Sequence, residues 1–263
     1  MNNIKYVFFS LIFFSLNASA IDKIKIAYYD KFHPFSFYNN ENLKGIFVDT
    51  MKILFKDSKD ISIYSEGFPW ERAQELVRKD EFDALVTLSN PEREKYLYHT
   101  SNPVFEDKLV LVYLSTNPKE KFIKNIKEKN DVKQFMINDY IGNGLAKFIY
   151  SENDKFKIDY SGNLETCFLK LVNDRGDIII TNKTNANIYQ SQLKGKNLKY
   201  IEPLFLKNDL KYYFFLRKSY LNAEKIINFI DKKLAQDDTK TIQKTIYNNY
   251  IYKEKIQIES FNK

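Results

Sequence analysis

Strand-like and helix-like segments alternate along nearly the whole chain, and this order limits the folds that it can adopt. The segment "KIKIAYY" has the period of a β-strand, and "GIFVDTMKILF" then places Val48, Met51 and Phe55 on one helical face. The strand "DISIYSE", the helix "WERAQELVRKD" and the buried strand "DALVTL" follow. Such a β-α-β-α order predicts an α/β fold in which helices cover a largely parallel sheet.

A second α/β unit follows after a break. Its predicted strands are "KLVLVYL", "QFMIND" and "DIIIT", and its predicted helices are "NGLAKFIYS", "LETCFLKLVND" and "NANIYQSQL". A further strand, "KYYFFLRK", leads into two closing helices, "LNAEKIINFIDKKLAQ" and "DTKTIQKTIYNNYI". Because no internal repeat or low-complexity linker separates the two units, any two domains must be joined by short extended crossings.

The first 20 residues have the organisation of a secretory signal peptide. Met1 to Lys5 form a weakly positive lead, an apolar run of 11 residues follows, and "ASA" ending at Ala20 has the small-x-small cleavage pattern. An uncleaved membrane anchor is the alternative, but the apolar run is shorter than the roughly 18 residues of a span. We expect cleavage after Ala20 and export to the periplasm of a Gram-negative cell.

Cysteine and charge restrict the mature protein further. Cys167 is the only cysteine, so no intramolecular disulfide can form, and no cysteine follows the cleavage site to carry a lipid anchor. The formal net charge is +7, but the lysines are interleaved with acids along the chain. This pattern is typical of a solvated surface and lacks the clustered basic face of a nucleic-acid-binding protein. We expect a soluble monomer that binds no nucleic acid.

The sequence contains no enzyme signature that can be recognised. Its two histidines, His33 and His99, are far apart, and no nucleophile pattern, P-loop or Cys/His cluster accompanies them. We expect His99 to be structural, and we expect neither a cofactor nor a metal.

Aromatic residues follow two of the predicted strands, at the sheet edge where open α/β proteins bind ligands. After the first strand, Phe35 and Phe37 are expected in the core, whereas Phe32 is expected to face a cleft. Trp70, the only tryptophan, begins the helix after the strand "DISIYSE". It can either plug the top of the sheet or form a flat apolar wall of the cleft.

The stretch "SNPERE" holds an arginine at an unfavourable place. Asn90 or Ser89 can cap a helix and Pro91 suits its first position, so Arg93 falls in the first turn. The helix dipole disfavours a cation there by roughly a few tenths of a kcal/mol. The position is explained if an anion binds there, because the backbone N–H groups and the guanidinium group would both donate hydrogen bonds to that anion. The alternative is an ordinary surface ion pair with a neighbouring glutamate.

Other polar residues follow the strands of both units. Thr87 and Ser89 offer hydroxyl groups beside the arginine, and Asn182 ends the strand "DIIIT" with a group that can donate and accept. Gly142, in "IGNG", would let backbone N–H groups approach a ligand closely, although a simple turn explains it equally well.

In order and spacing, these motifs resemble the bacterial extracellular solute-binding proteins of family 3, the polar amino-acid uptake type. The resemblance extends from "KIKIAYYDKFHPFSF" through "WERAQELVRKDEFDALVTLSNPERE" to "YFFLRKSYLNAEKIINFIDKKL". It implies the type II periplasmic binding protein fold, with two α/β lobes joined by two hinge crossings and a ligand enclosed between them. Lobe 1 would comprise residues 21–104 plus 212–263, and lobe 2 residues 105–211.

The resemblance also assigns roles and reveals departures. Arg93 matches the arginine that grips the ligand's carboxylate, while Phe32 and Trp70 match the aromatic residues that sandwich its side chain. Asn182 stands where the family has the aspartate that holds the α-amino group, and Leu88 replaces a hydroxyl residue. The carboxylate half of the site is retained, and the amino half is changed.

The sequence therefore predicts a periplasmic protein that captures a small carboxylate-bearing solute, such as an amino acid, and delivers it to an ABC permease in the inner membrane. Two alternatives share the fold. One is an enzyme similar to cyclohexadienyl dehydratase, for which the sequence identifies no general acid. The other is a subunit that presents its ligand to a membrane sensor.

Overall fold

The computed structural model of the chain describes residues 22–141, 143, 149, 155–193, 196–206 and 209–253. The predicted signal peptide lies outside these ranges, as do Gly142 and most of the predicted helix "NGLAKFIYS". The strands are β1 (Asp22–Tyr29), β2 (Lys31–Phe32), β3 (Ser36–Asn39), β4 (Asn42–Lys44), β5 (Ile61–Phe68), β6 (Ala84–Leu88), β7 (Leu97–His99), β8 (Phe105–Leu114), β9 (Met136–Tyr140), β10 (Lys157–Ser161), β11 (Ile179–Asn182), β12 (Leu198–Ile201) and β13 (Asp209–Arg217).

The helices are α1 (Ile46–Phe55), α2 (Trp70–Arg78), α3 (Pro91–Glu94), α4 (Glu120–Lys124), α5 (Leu164–Val172), α6 (Lys183–Gln192), α7 (Ala223–Leu234) and α8 (Asp237–Asn248). Short 3₁₀ turns cover Lys129–Gln134 and Leu204–Leu206, and a π-helical turn, Asn249–Lys253, continues α8. In the part of the chain that these elements cover, none of the helices has both the length and the apolar character needed to cross a bilayer.

The large sheet has the strand order β11-β8-β13-β6-β1-β5, with β7 beside β13 and β12 beside β8. Strand β1 runs parallel to both β5 and β6, as the β-α-β-α pattern predicts. Strand β13 is antiparallel to β6 and to β8. Helices flank this sheet, which confirms the predicted α/β class. The sheet is mixed and not largely parallel as predicted, because β8 and β13 pair antiparallel with each of their neighbours.

Strands β8 and β13 carry the chain between two parts of the molecule. Near the predicted boundaries they pair with each other, from Phe105 opposite Tyr212 to Lys108 opposite Asp209. Beyond this segment they diverge, because β13 continues along β6 whereas β8 continues along β11 and β12. The division into residues 21–104 plus 212–263 and residues 105–211 stays a prediction.

Helix α1 shows how the apolar pattern produces the core of the first part. Val48, Met51 and Phe55 are all buried, as their spacing predicts. Burying an apolar side chain of this size contributes about 1.5–3 kcal/mol, so this face fixes the helix against the sheet. Gly45 precedes α1 with φ 133°, and a Cβ atom there would lie 2.3 Å from the carbonyl oxygen of Phe35. The entry into α1 therefore requires glycine.

The second part has its own apolar cluster. Helices α5 and α6 pack on β8 and β11 through buried side chains that include Cys167, Phe168 and Tyr189. The rings of Phe168 and Tyr189 stack with their centroids 3.9 Å apart. Strands β9 and β10 pair in parallel beside this cluster. A parallel bridge connects Ile137 of β9 to Ile178, the residue directly before β11. The carboxyl ends of β9 and β11 are thereby brought to the same region.

Candidate functional site

The predicted cap and first turn around Arg93 are confirmed. Asn90 caps α3 by accepting a hydrogen bond from the backbone N–H of Arg93 at 2.8 Å, and Pro91 is the first helical residue. The helix has only 4 residues, so the aligned peptide dipoles that were expected to attract an anion are few. The anion-binding capacity at this position therefore depends on the guanidinium of Arg93.

That guanidinium has neutral partners on two of its three nitrogens. One terminal nitrogen donates to the carbonyl oxygen of Leu88 at 2.8 Å, and the other donates to Oε1 of Gln74 at 2.9 Å. The Cζ atom lies 5.3 Å from the ring centroid of Trp70. The Nε atom is buried and has no hydrogen-bond partner. Burial lowers the pKa of Arg93, yet an arginine remains charged at neutral pH.

The neighbouring glutamates do not neutralise Arg93, which excludes the surface ion pair. Glu92 lies 3.5 Å from the guanidinium of Arg78, and Glu94 accepts a hydrogen bond from the hydroxyl of Ser89. Among the described residues, no carboxylate is within ion-pair distance of Arg93. The half-buried cation consequently has one nitrogen without any hydrogen-bond partner, and Glu92 acts on its charge only from beyond ion-pair distance.

The two hydroxyl residues near Arg93, Thr87 and Ser89, have different surroundings. The hydroxyl of Ser89 is occupied by Glu94, so in this arrangement it does not replace the hydroxyl that is missing at Leu88. Thr87 is 9% exposed and pairs with Tyr213 across β6 and β13. Neither the backbone register nor these contacts assign a ligand to Thr87 or Ser89, and their binding roles stay predictions.

Aromatic rings form a continuous row from Arg93 towards the crossing strands. Trp70 and Tyr29 have ring centroids 6.4 Å apart, and Tyr29 stacks with Phe32 at 6.0 Å. Phe32 continues the row to Tyr212 of β13 at 6.1 Å. Trp70 is half-buried and packs on an apolar cluster while Arg93 lies over its ring, which fits the plug of the sheet edge; its role as a wall of the cleft stays a prediction. Phe32 is also half-buried and packs against the core.

Asn182 has a clear structural task. Its side chain is 1% exposed, and its Oδ1 accepts a hydrogen bond from the backbone N–H of Asn185 at 2.8 Å, which caps α6. Nearby, Asp107 of β8 accepts from the N–H of Thr184 at 3.4 Å, and burial raises its carboxyl pKa to about 6. The oxygen of Asn182 is therefore committed to the helix, and its ligand role stays a prediction.

The residues before the glycine-containing turn are described, although Gly142 itself lies outside the described residues. Asp139 is 3% exposed, and its Oδ1 accepts hydrogen bonds of 2.7 Å from the N–H of Tyr140 and from the amide of Asn143. Its Oδ2 is buried without a partner, and burial raises its carboxyl pKa. Burial also raises the pKa of Tyr140, with smaller contributions from Asp139 and Tyr29.

Comparison with known families identifies the chain. Residues 24–252 match the family model described as bacterial extracellular solute-binding proteins, family 3. The chain belongs to this family. The match covers both parts of the molecule and each of the described site residues, from Tyr29 to Asn182. No curated protein matches the sequence significantly.

Solved structures support the fold of this family 3 solute-binding protein. One is the probable amino-acid ABC transporter extracellular-binding protein ytmK from Bacillus subtilis, with 18% identity, a TM-score of 0.69, and coverage of 88% of this chain and 99% of that chain. Another comes from work on glutathione import through GshT and the cystine importer TcyBC of Streptococcus mutans, with 18% identity, a TM-score of 0.70, and coverage of 88% and 95%.

A third solved structure is the ancestral amino-acid-binding protein AncCDT-1, described as a precursor of cyclohexadienyl dehydratase. It has 17% identity and a TM-score of 0.65, and the alignment covers 87% of this chain and 95% of that chain. At these identities the likeness concerns the fold alone. The solute-binding protein thus has the two-lobed type II fold.

Two contacts of this solute-binding protein were missed by sequence reasoning. Gln74 binds Arg93, and it follows Trp70 by four residues, which places both on one face of α2. That spacing could have identified Gln74. Tyr29 ends β1 directly before the predicted aromatic turn, so its position at the sheet edge could have identified it.

A cavity of about 400 Å³ lies beside the carboxyl end of β6, between the two parts of the chain. Leu88 and Ser89 line it from one part, Leu109 and Phe205 from the other, and Tyr213 from β13. A second cavity, of about 690 Å³, lies between α6 and α8 and includes Asp107 and Tyr247 in its lining. The first cavity adjoins the strand end whose carbonyl group holds Arg93.

Proposed function

We propose that the protein is a periplasmic solute-binding protein that captures a small carboxylate-bearing solute and delivers it to an ABC permease of the inner membrane. The solute would bind between lobe 1 (residues 21–104 plus 212–263) and lobe 2 (residues 105–211), and the monomer would be released after cleavage at Ala20. The observation that carries this proposal is the guanidinium of Arg93, which is half-buried and lacks an anionic partner among the described residues.

A carboxylate is the group that best completes this arrangement. Removing a charge from water is costly unless it is paired, and the carbonyl of Leu88 and the amide of Gln74 supply no negative charge to Arg93. The guanidinium carries five N–H groups, of which two are used by these bonds, so the others can donate to the oxygens of an incoming anion in charge-assisted hydrogen bonds. Family membership supports solute binding, and one relative of the same fold is the substrate-binding protein of an amino-acid ABC transporter.

The test is a thermal-shift screen of the mature chain, from Ile21 onward, against amino acids, dicarboxylates and amines. A ligand at 100 times its dissociation constant adds about 2.7 kcal/mol to stability. At roughly 2–4 °C per kcal/mol, the midpoint should rise by about 5–10 °C. Arg93→Ala should abolish this rise. Arg78→Ala is the matched control, because Arg78 is more exposed and is paired with Glu92.

A carboxylate that stabilised Arg93→Ala as much as the unmodified protein would contradict the central role of Arg93. A ligand that is an amine without a carboxylate would also contradict it. Calorimetric titration of each hit separates binding from unspecific stabilisation, because only binding saturates with a defined stoichiometry.

Dehydratase activity is a second candidate function, favoured by one observation. A general acid requires a carboxyl group that keeps its proton near neutral pH. Burial raises the pKa of Asp139, whose Oδ2 has no partner. Incubation with prephenate or arogenate tests this function. The binding proposal expects no product, whereas turnover that is lost in Asp139→Asn would favour the enzyme.

A further inference from the structure

The ring of Tyr29 contacts both aromatic residues that were expected to enclose a ligand side chain. It stacks on Phe32 with the ring planes inclined by 24° and the centroids 6.0 Å apart. The centroid of Trp70 is 6.4 Å from that of Tyr29, with the ring planes inclined by 44°. Phe32 and Trp70 are thus connected through a third ring, which the protein itself places next to both.

We propose that Tyr29 sets the size limit of the ligand, so that the site accepts short carboxylates and rejects those with an aromatic or long apolar side chain. This inference rests on the proposed function, because it assumes that the carboxylate binds Arg93. It adds the class of solute, which the arginine alone does not define.

The backbone of Tyr29 is held firmly. Tyr29 pairs with Phe68 at the end of β1 and β5, and the next residue, Asp30, donates its N–H to the carbonyl oxygen of Phe68 at 3.0 Å. The carbonyl oxygen of Tyr29 accepts a hydrogen bond of 2.7 Å from the hydroxyl of Ser36. A ligand cannot enlarge the site by shifting this backbone without breaking these bonds.

The neighbouring rings leave Tyr29 little freedom to retreat. Phe32 is backed by Phe35, with centroids 4.6 Å apart, and Phe35 is 0% exposed. Phe32 also contacts Tyr212 of the crossing strand β13 at 6.1 Å. Displacing Tyr29 towards Phe32 would compress a packed core, and overpacking of that kind costs about 1–3 kcal/mol.

The row of rings also gives the direction in which a ligand would extend from Arg93. The Cζ atom of Arg93 lies 5.3 Å from the ring centroid of Trp70, and the ring of Tyr29 is the next in the row, 6.4 Å from that of Trp70. A ligand whose carboxylate binds Arg93 and which extends along Trp70 towards Phe32 therefore meets Tyr29.

The experiment compares paired ligands by calorimetric titration. Lactate and phenyllactate, alanine and phenylalanine, and succinate and benzylsuccinate differ within each pair by a phenyl-containing group. The unmodified protein should bind the smaller member of the preferred pair at least tenfold more tightly. Tyr29→Ala should remove this preference by gaining affinity for the larger member, and Tyr29→Leu should show the same trend more weakly if the alanine variant folds poorly.

Two control variants separate size from other effects. Tyr29→Phe keeps the ring, so it should keep the preference for the smaller ligand. Tyr64→Ala removes a tyrosine of β5 that is 41% exposed and should leave the preference unchanged.

The outcomes distinguish this inference from the proposed function. If the unmodified protein binds the phenyl-bearing ligand as tightly as the smaller one, or if neither Tyr29→Ala nor Tyr29→Leu gains affinity for it, the size limit is overturned. In that case binding that depends on Arg93 would still support the proposed function. If no carboxylate binds, both the inference and the proposed function are wrong.

Discussion

At the scale of single residues, the half-buried His33 and the buried Asp107 respond to pH in opposite directions. Burial, with a smaller contribution from Lys44, lowers the pKa of His33 from 6.5 to about 4. Burial raises the carboxyl pKa of Asp107 from 3.8 to about 6, although bonds from Thr184 and Lys108 oppose it. The folded protein resists protonation of His33 and favours protonation of Asp107, so between about pH 4 and 6 their effects on the free energy of unfolding oppose each other.

His33→Phe should therefore change how stability depends on pH. Since the folded pKa of His33 is below its unfolded value, its contribution is complete above pH 6.5 and is lost as the pH falls towards 4. A shift of this size corresponds to roughly 3 kcal/mol. Urea unfolding from pH 4 to 7.5 should show the variant gaining stability relative to the unmodified protein on acidification. Equal losses for both proteins would contradict the assignment.

Asp107→Asn is the complementary prediction. The folded pKa of Asp107 is raised, so its contribution is complete below about pH 3.8 and is lost as the pH rises through 6. The asparagine variant should lose stability more steeply than the unmodified protein on acidification, again by roughly 3 kcal/mol in total. The same urea series measures it, and a difference between the two proteins that did not vary with pH would count against the buried carboxyl group.

At the scale of secondary structure, the long apolar patterns predicted the elements well, whereas short elements were missed. Helix α1 and strands β1, β5 and β6 lie where the sequence predicted them, because α1 has a helical apolar period, β1 and β5 alternate in sequence, and β6 is a continuous apolar run that is buried. The small sheet β2-β3-β4 was missed, since strands of 2 to 4 residues have too few positions to show a period. The prediction of strand pairing was also incomplete. The hydrophobic period of β13 shows neither which strands it pairs with nor in which direction.

Helix α6 provides a prediction at this scale. Asn182→Ala removes the oxygen that caps the N–H of Asn185, and loss of such a cap costs about 1 kcal/mol. Asn182→Ser keeps a neutral side-chain oxygen that can cap the helix, so it should lose less stability than the alanine variant. Urea unfolding at pH 7 measures both changes. An alanine variant as stable as the serine variant would contradict the capping role.

At the scale of the whole molecule, the candidate site was only partly predictable. Arg93 and Trp70 were predicted separately and meet in the structure, since both follow strands of one sheet edge. Gln74 and the carbonyl of Leu88 were not predicted as partners of Arg93, because their contact depends on how α2 and α3 pack. Asn182 was expected to bind the ligand, and the sequence did not show that its side-chain oxygen caps α6.

The end of the described chain connects the two parts of the molecule a third time. Gln243 of α8 donates to the carbonyl oxygen of Val104 at 2.7 Å, and Tyr250 of the π-helical turn accepts from the N–H of Gly45 at 2.8 Å. Between them, Tyr247 stacks with Phe105 at 5.9 Å and receives a hydrogen bond of 3.4 Å from the amide of Asn187 in α6. With the proposed lobe boundaries, the contacts of Tyr247 join lobe 1 to lobe 2.

Tyr247→Ala should therefore favour a more open arrangement of the two lobes. An aromatic pair contributes about 1 kcal/mol, so its loss should shift the balance between closed and open forms roughly fivefold. Under the proposed function, in which the two lobes close on the ligand, the apparent affinity should fall by a similar factor. Small-angle X-ray scattering should give a larger radius of gyration without ligand and the same radius as the unmodified protein when saturated. Tyr252→Ala, at a residue that is 76% exposed in the same segment, is the matched control. If both variants matched the unmodified protein in radius and affinity, Tyr247 would only attach α8 to the surface, and strands β8 and β13 alone would govern closure.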